Sequence, residues 1–270
     1  MPKWSYENDI AYDEIDISKI QDNDFLFNLL AIASFIEITS DIYAVNLSDY
    51  YKDCDEVVAW LNDVWELEEV QHGKALRRYV NQVWPDFNWQ KSYDIFLKSY
   101  LPLCSVESFQ PTQAKEMLAR MIVETGTSTF YRALEEYSKD LKEPVLGRLA
   151  YFINKDEVNH YGYFDHYFKY YNKHEKNGRS DIIKVIVNRL KEANDEDVKL
   201  GFYAVHESID SHQSQEEAFD LFHESISEYA KKYYPYNMAI KMMLHPLDLN
   251  SMVASTVTPI LKQAMRILGV

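Results

Sequence analysis

A chain of 270 residues with 47% hydrophobic and 26% charged residues lies in the globular range, which excludes wholesale disorder. Its 7 glycines and 8 prolines are too few for a many-turned β-sandwich or a glycine-looped nucleotide-binding domain, so long helices are expected. The 28 Lys and Arg stand against 43 Asp and Glu, a net charge of −15, which argues against nucleic-acid binding and against docking on an anionic membrane.

Cys54 and Cys104 lie far apart and imply no disulfide framework. The opening Met1-Pro2-Lys3-Trp4-Ser5 has no apolar run of a signal peptide, and no stretch is expected to reach the roughly 18 uncharged apolar residues of a membrane span. These features together predict a cytoplasmic protein.

In chain order, residues 1–22 are polar and acidic and are expected to form an irregular arm. Asn23-Asp24 is a helix cap, after which Leu26, Leu29, Leu30, Ala33, Ile36 and Ile42 recur at helical spacing to about Leu47. A second helix is predicted from Asp55 to Val80, a short one over Ser92–Tyr100, a third long one from Thr112 to Tyr137 and a fourth from Glu143-Pro144 to Tyr171. Further helical patterns cover Asp181–Ala193, Glu216–Tyr233 and Leu247–Leu268. The expected architecture is all-α: residues 23–175 form a four-helix bundle, and residues 176–270 add a helical extension packed on the same domain.

Each long helix carries a glutamate where its apolar pattern places the core. Glu37 follows an uncharged run from Leu29 to Ile36, and Glu124 follows Met121-Ile122-Val123. The second and fourth helices carry Glu-x-x-His, as Glu69 with His72 and Glu157 with His160. Glu37 to Glu69 is 32 residues and Glu124 to Glu157 is 33; Glu37 to Glu124 is 87 and His72 to His160 is 88. The chain therefore reads as one helix pair used twice.

Residues i and i+3 share a helix face, so each Glu-x-x-His offers an oxygen and a nitrogen to one ion. Glu37 and Glu124 complete or bridge the pair. Four buried carboxylates without counter-charge would cost several kcal/mol each, whereas two divalent cations neutralise them. Carboxylate with imidazole suits iron, with manganese possible at one or both positions, and the absence of thiolate argues against structural zinc. One Glu from each of two helices plus Glu-x-x-His from two others is the ligand pattern of ferritin-like di-iron proteins.

Glu68 and Asp156, each four residues before a motif histidine, are placed to accept the proton of a ligand imidazole. The run Thr125-Gly126-Thr127-Ser128-Thr129 puts Thr127 three residues after Glu124, where small residues leave room for dioxygen or a substrate, or serve close helix packing. The repeat His206-Glu207-Ser208-Ile209 and His223-Glu224-Ser225-Ile226 lacks the second histidine of a zinc protease and reads as surface helix.

At these residues the sequence resembles the soluble acyl-ACP (acyl carrier protein) desaturases, within the ferritin-like di-iron superfamily. Glu68-Glu69-Val70-Gln71-His72-Gly73 is similar to the family's Glu-Glu-x-Arg-His-Gly, and Asp156-Glu157-Val158-Asn159-His160 to its Asp-Glu-x-Arg-His. Glu124-Thr125-Gly126-Thr127 is similar to its Glu-x-x-Thr, and the likeness covers about residues 25–170. The resemblance implies iron ligands at Glu37, Glu69, His72, Glu124, Glu157 and His160, with Thr127 on the oxygen-binding side. It implies an O2-dependent oxidoreductase acting on a fatty-acyl substrate on acyl carrier protein, a ferredoxin-type electron donor and a homodimer. A different ferritin-like oxygenase (a hydroxylase, N-oxygenase or aldehyde-deformylating enzyme) or a ferroxidase for iron storage shares the same ligand pattern.

Overall fold

The structure, a computed structural model, describes residues 2–104, 109–192, 196–209 and 214–268. The described residues contain no strand. The chain folds into two compact units interleaved in sequence: the first is Met1–Phe109, Asp140–Leu149 and Asp195–Ser225, the second Gln110–Lys139, Ala150–Asn194 and Ile226–Val270. Residues 176–270 are thus shared between the two units.

In the first unit, α1 (Asp24–Ile38) starts where the Asn23 side chain accepts a hydrogen bond from the Leu26 amide at 2.9 Å. The expected single helix to Leu47 is interrupted at Thr39 and resumes as α2 (Ser40–Tyr50). The Thr39 hydroxyl donates to the Phe35 carbonyl at 2.7 Å, a bond back to the preceding turn of the kind that bends helices. The second expected helix is also divided. It comprises α3 (Asp55–Trp60), a π turn over Leu61–Trp65, and α4 (Glu66–Val83). The π turn re-aims the side chains of α4 just before the Glu-x-x-His motif.

Helices α1 and α4 run antiparallel, with Phe27 against Trp84 at one end and Ile38 against Gly73 at the other. Helix α5 (Trp89–Tyr100) packs on α9 (Glu196–Ser208), and α9 also packs on α1, with Gly201 against Ile32. The helix expected around His206 is α9, but it is not a surface helix there: His206 is buried, at 8% exposure. The arm of residues 2–22 contains two 3-10 turns, Tyr12–Glu14 and Ile17–Lys19. It is packed and not merely polar: Trp4, Ile10, Tyr12, Ile15 and Ile20 are all buried.

Two helices of the second unit carry the other motif. Helix α6 (Gln113–Leu141) and helix α7 (Pro144–Glu175) are antiparallel, joined by Asn154 Nδ2 to the Ser128 carbonyl at 2.6 Å. At the far end the Glu175 carboxylate accepts from the Ala114 amide at 2.9 Å and the Thr112 hydroxyl at 2.5 Å, which places a negative charge at the positive end of α6. A buried ion pair, Arg120 Nε to Glu116 at 2.9 Å, lies in the same turns of α6.

Helix α8 (Arg179–Glu192) follows the expected pattern, whose last residue, Ala193, lies outside the described residues. Helix α10 (Gln215–Tyr233) matches its expected span, and α11 (Tyr236–Leu244) precedes a terminal α12 (Ser251–Leu268) that packs on it.

The segment Asp24–Tyr50 is long and apolar enough to cross a membrane by length and composition, with mean hydropathy 1.6 over 18 residues, although Glu37 and Asp41 keep it short of 18 uncharged residues in a row. Half of that window is buried inside the protein.

The start of α7 carries a capping group in the first unit. The Glu143 carboxylate, 1% exposed, accepts from the Leu146 amide at 2.5 Å and from the Tyr79 hydroxyl of α4 at 2.6 Å. Glu143→Ala removes a helix cap and leaves a buried phenol without its acceptor. The expected loss is about 2–3 kcal/mol in denaturant unfolding, with a smaller loss in Glu143→Gln, which keeps one acceptor oxygen.

Candidate functional site

The helix pair of the first unit gathers three expected ligands. Glu37 lies on the last turn of α1, and Glu69 and His72 lie one turn apart on α4. One ligand atom from each lies within 4.8 Å of the others, and Nδ1 of His72 is 3.7 Å from Oε2 of Glu37. The three residues are 5%, 5% and 0% exposed.

The helix pair of the second unit repeats the arrangement with Glu124 from α6 and Glu157 and His160 from α7, again within 4.8 Å. Nδ1 of His160 is 3.7 Å from Glu124 Oε2 and 3.6 Å from Glu157 Oε2. This triad is buried as deeply as the first.

These distances are informative. These Nδ1–carboxylate separations of 3.6–3.7 Å are longer than an ordinary hydrogen bond. Two donors each about 2.1 Å from a shared ion stand roughly 3.0–3.5 Å from each other. The spacing therefore fits donors arranged around an ion with slight contraction. The donor set is oxygen and imidazole nitrogen; Cys54 and Cys104 are free thiols and belong to neither triad. Such a set is compatible with a bound metal ion.

Burial, and after it the charge of Glu157, pushes the Glu124 carboxyl up to about 8, while His160 pulls it the other way.

Glu68 and Asp156, immediately before the motif glutamates, are each 2% exposed. Both acids are therefore part of the interior around the motifs and not a solvated helix edge. Gln71 is also buried, whereas Asn159 is exposed.

Thr127 is half-buried, and its hydroxyl donates to Oε2 of Glu157 at 2.9 Å. It thus holds one expected ligand in place. The small residues around it have separate roles. Gly126 is exposed, and a Cβ added there would meet nothing within 4 Å. The hydroxyls of Thr125 and Thr129 bond back to the Met121 and Thr125 carbonyls at 2.8 and 2.7 Å. Ser128 gives α7 close access to its carbonyl, on which Asn154 bonds.

One aromatic neighbour of the first triad carried no signal in the sequence pattern. The Trp4 indole lies parallel to the His72 imidazole, with an interplanar angle of 12° and centroids 6.2 Å apart. The contact joins residues far apart in the chain and leaves no trace in helical periodicity. No protein-family model, curated protein or solved structure matches this chain.

Proposed function

We propose that each triad holds one metal ion, that the helix pairs α1/α4 and α6/α7 make up a ferritin-like four-helix bundle, and that the protein is a di-iron, O2-dependent oxidoreductase. The observation that carries this reading is the duplication: one Glu plus Glu-x-x-His, buried and gathered, in each of two antiparallel helix pairs. Hydrophobic helix pairs do not each bury two carboxylates and an imidazole without a counter-charge. Two divalent cations bring +4 against the −4 of Glu37, Glu69, Glu124 and Glu157.

When bound, the iron pair would supply the redox chemistry of dioxygen. The protein's own groups bind, orient and exclude water. Thr127 holds Glu157 in one rotamer through its 2.9 Å bond. Glu68 and Asp156, buried beside the ligands, are placed to fix imidazole tautomers. The near-complete burial of both histidines keeps bulk water from their rings.

The resemblance to acyl-ACP desaturases makes a fatty-acyl or related organic chain the substrate class, delivered on a carrier protein, with electrons from a ferredoxin-type donor. The protein's net charge of −15 requires that a strongly acidic carrier meet a local cationic patch, for which Lys74, Arg77 and Arg78 on α4 are the candidates.

Anaerobic loading with Fe(II) is expected to give two irons per chain. His72→Ala and His160→Ala should each lose one, and Mn(II)-loaded protein should show an exchange-coupled spin pair. On exposure to air, oxygen uptake should rise with an acyl substrate and a reductant. Rapid multi-turnover Fe(II) oxidation indifferent to every organic substrate would replace this reading with a ferroxidase. Unchanged two-iron stoichiometry in both histidine variants would remove the metal assignment itself.

A further inference from the structure

We propose that Trp4 is a positioning residue for the His72 imidazole, and that docking of the N-terminal arm and metal binding at the Glu37–Glu69–His72 triad are coupled. The proposal rests on the metal reading above and assigns a role to a segment that contributes none of the six ligands.

His72 needs one particular ring plane. Its Nδ1 stands 3.7 Å from Glu37 Oε2, and a quarter-turn about the Cβ–Cγ bond would tilt the ring and swing Nδ1 away from the carboxylate. The indole of Trp4 lies 12° from parallel with that ring and is itself only 6% exposed. An imidazole that tilts out of this plane loses its parallel arrangement with a buried indole. Stacked aromatic pairs at such separations prefer the offset parallel arrangement, which is the plane His72 keeps.

The arm that carries Trp4 is fastened along α4 beyond the ligand. The Tyr12 hydroxyl donates to the Ala75 carbonyl at 3.1 Å, and the Arg78 guanidinium lies 4.3 Å over the Tyr12 ring. Trp84 Nε1 donates to the Gln21 carbonyl at 2.8 Å. The Arg148 guanidinium donates to the Asp9 carbonyl at 2.9 Å. Ile10, Ile15 and Ile20 are buried between these points. The arm is therefore a strap whose first anchored side chain rests on the ligand ring.

Coupling follows from linkage. If the docked strap favours the metal-ready ring plane, a metal at His72 favours the docked strap by the same factor. Neighbours that orient a ligand histidine typically change metal affinity by about 10–100-fold.

The test uses the full-length chain, Mn(II) alone as probe, and the variants Trp4→Leu and Trp4→Phe. In the parent, two Mn(II) bind. In Trp4→Leu one binding step should weaken by at least about 10-fold while the other is unchanged, and Trp4→Phe should restore the weakened step to within about threefold. Amide exchange over residues 5–20 should slow on adding Mn(II) to the parent and be indifferent to Mn(II) in Trp4→Leu. Two unchanged binding steps in Trp4→Leu, or equal weakening of both, overturns the proposal and leaves the metal reading intact. No Mn(II) binding by the parent overturns both. Should Trp4→Leu fail to fold, the metal-dependent exchange of the parent and the affinity of Trp4→Phe decide: an arm whose exchange ignores Mn(II) rejects the coupling.

Discussion

Gly73→Ala is expected to lose the metal step at the first triad and to lower stability by about 1–3 kcal/mol, despite alanine's better helix propensity. A Cβ at residue 73 would lie 2.6 Å from the Ile38 backbone nitrogen and 3.0 Å from its Cα. These are backbone atoms of α1, so no rotamer change relieves the clash, and α1 and α4 must separate.

Glu37 and His72 are the residues immediately before Ile38 and Gly73, so that separation opens the 3.7 Å gap between their ligand atoms. Close-packed interiors transmit such a shift instead of absorbing it. Gly126→Ala is the matched control: its Cβ meets nothing within 4 Å, and it should gain up to about 1 kcal/mol from propensity with both metal steps retained. Denaturant midpoints and Mn(II) equilibrium dialysis on both variants read the two effects separately. A Gly73→Ala protein as stable and as metal-competent as the parent would mean that the α1–α4 contact is not formed this closely.

Glu124→Gln is expected to stabilise the metal-free protein at pH 8 while strongly weakening metal binding at the second triad. The carboxyl is raised from 4.5 to about 8 by burial and by Glu157. A group whose folded pKa is raised contributes stability that is fully present below its unfolded pKa, near 4.5, and lost as pH rises through about 8. The metal-free parent should therefore weaken between pH 5 and pH 8.5, and the neutral amide should remove this part of the slope, worth about 1–3 kcal/mol at pH 8.

In the parent, a cation at this triad takes the place of the proton. Binding near pH 7 should release a proton, and affinity should climb with pH until about 8. In Glu124→Gln the anionic ligand is gone, and binding at that triad should fall at least about 100-fold. Unfolding curves at pH 5.5 and 8 without metal, with Mn(II) titrations at both, test the pair of effects. A Glu124→Gln variant weaker than the parent at pH 8 would show that the carboxylate is stabilised where it sits.

The two buried Glu-plus-Glu-x-x-His clusters were legible because their signals are local. Glu37 interrupts an uncharged run, Glu69 with His72 and Glu157 with His160 repeat an i, i+3 face, and the offsets of 87 and 88 residues mark two uses of one helix pair. The bounds of α6 and α7 followed from the same periodicity to within a few residues. The interruption at Thr39 and the π turn at Leu61–Trp65 did not, because neither changes the recurrence of apolar residues; they change only which backbone carbonyl each amide meets.

Helical period and residue chemistry establish an all-α chain with two buried Glu-plus-Glu-x-x-His sets, since both are properties of neighbours a turn apart. The fold adds what depends on the path of the chain. It brings Trp4 against His72, joins the Tyr79 hydroxyl to Glu143 at the start of α7, and seats Glu175 on the amides that open α6. Each of these contacts links residues more than sixty positions apart, where no sequence periodicity operates and burial with hydrogen-bond satisfaction selects the partner.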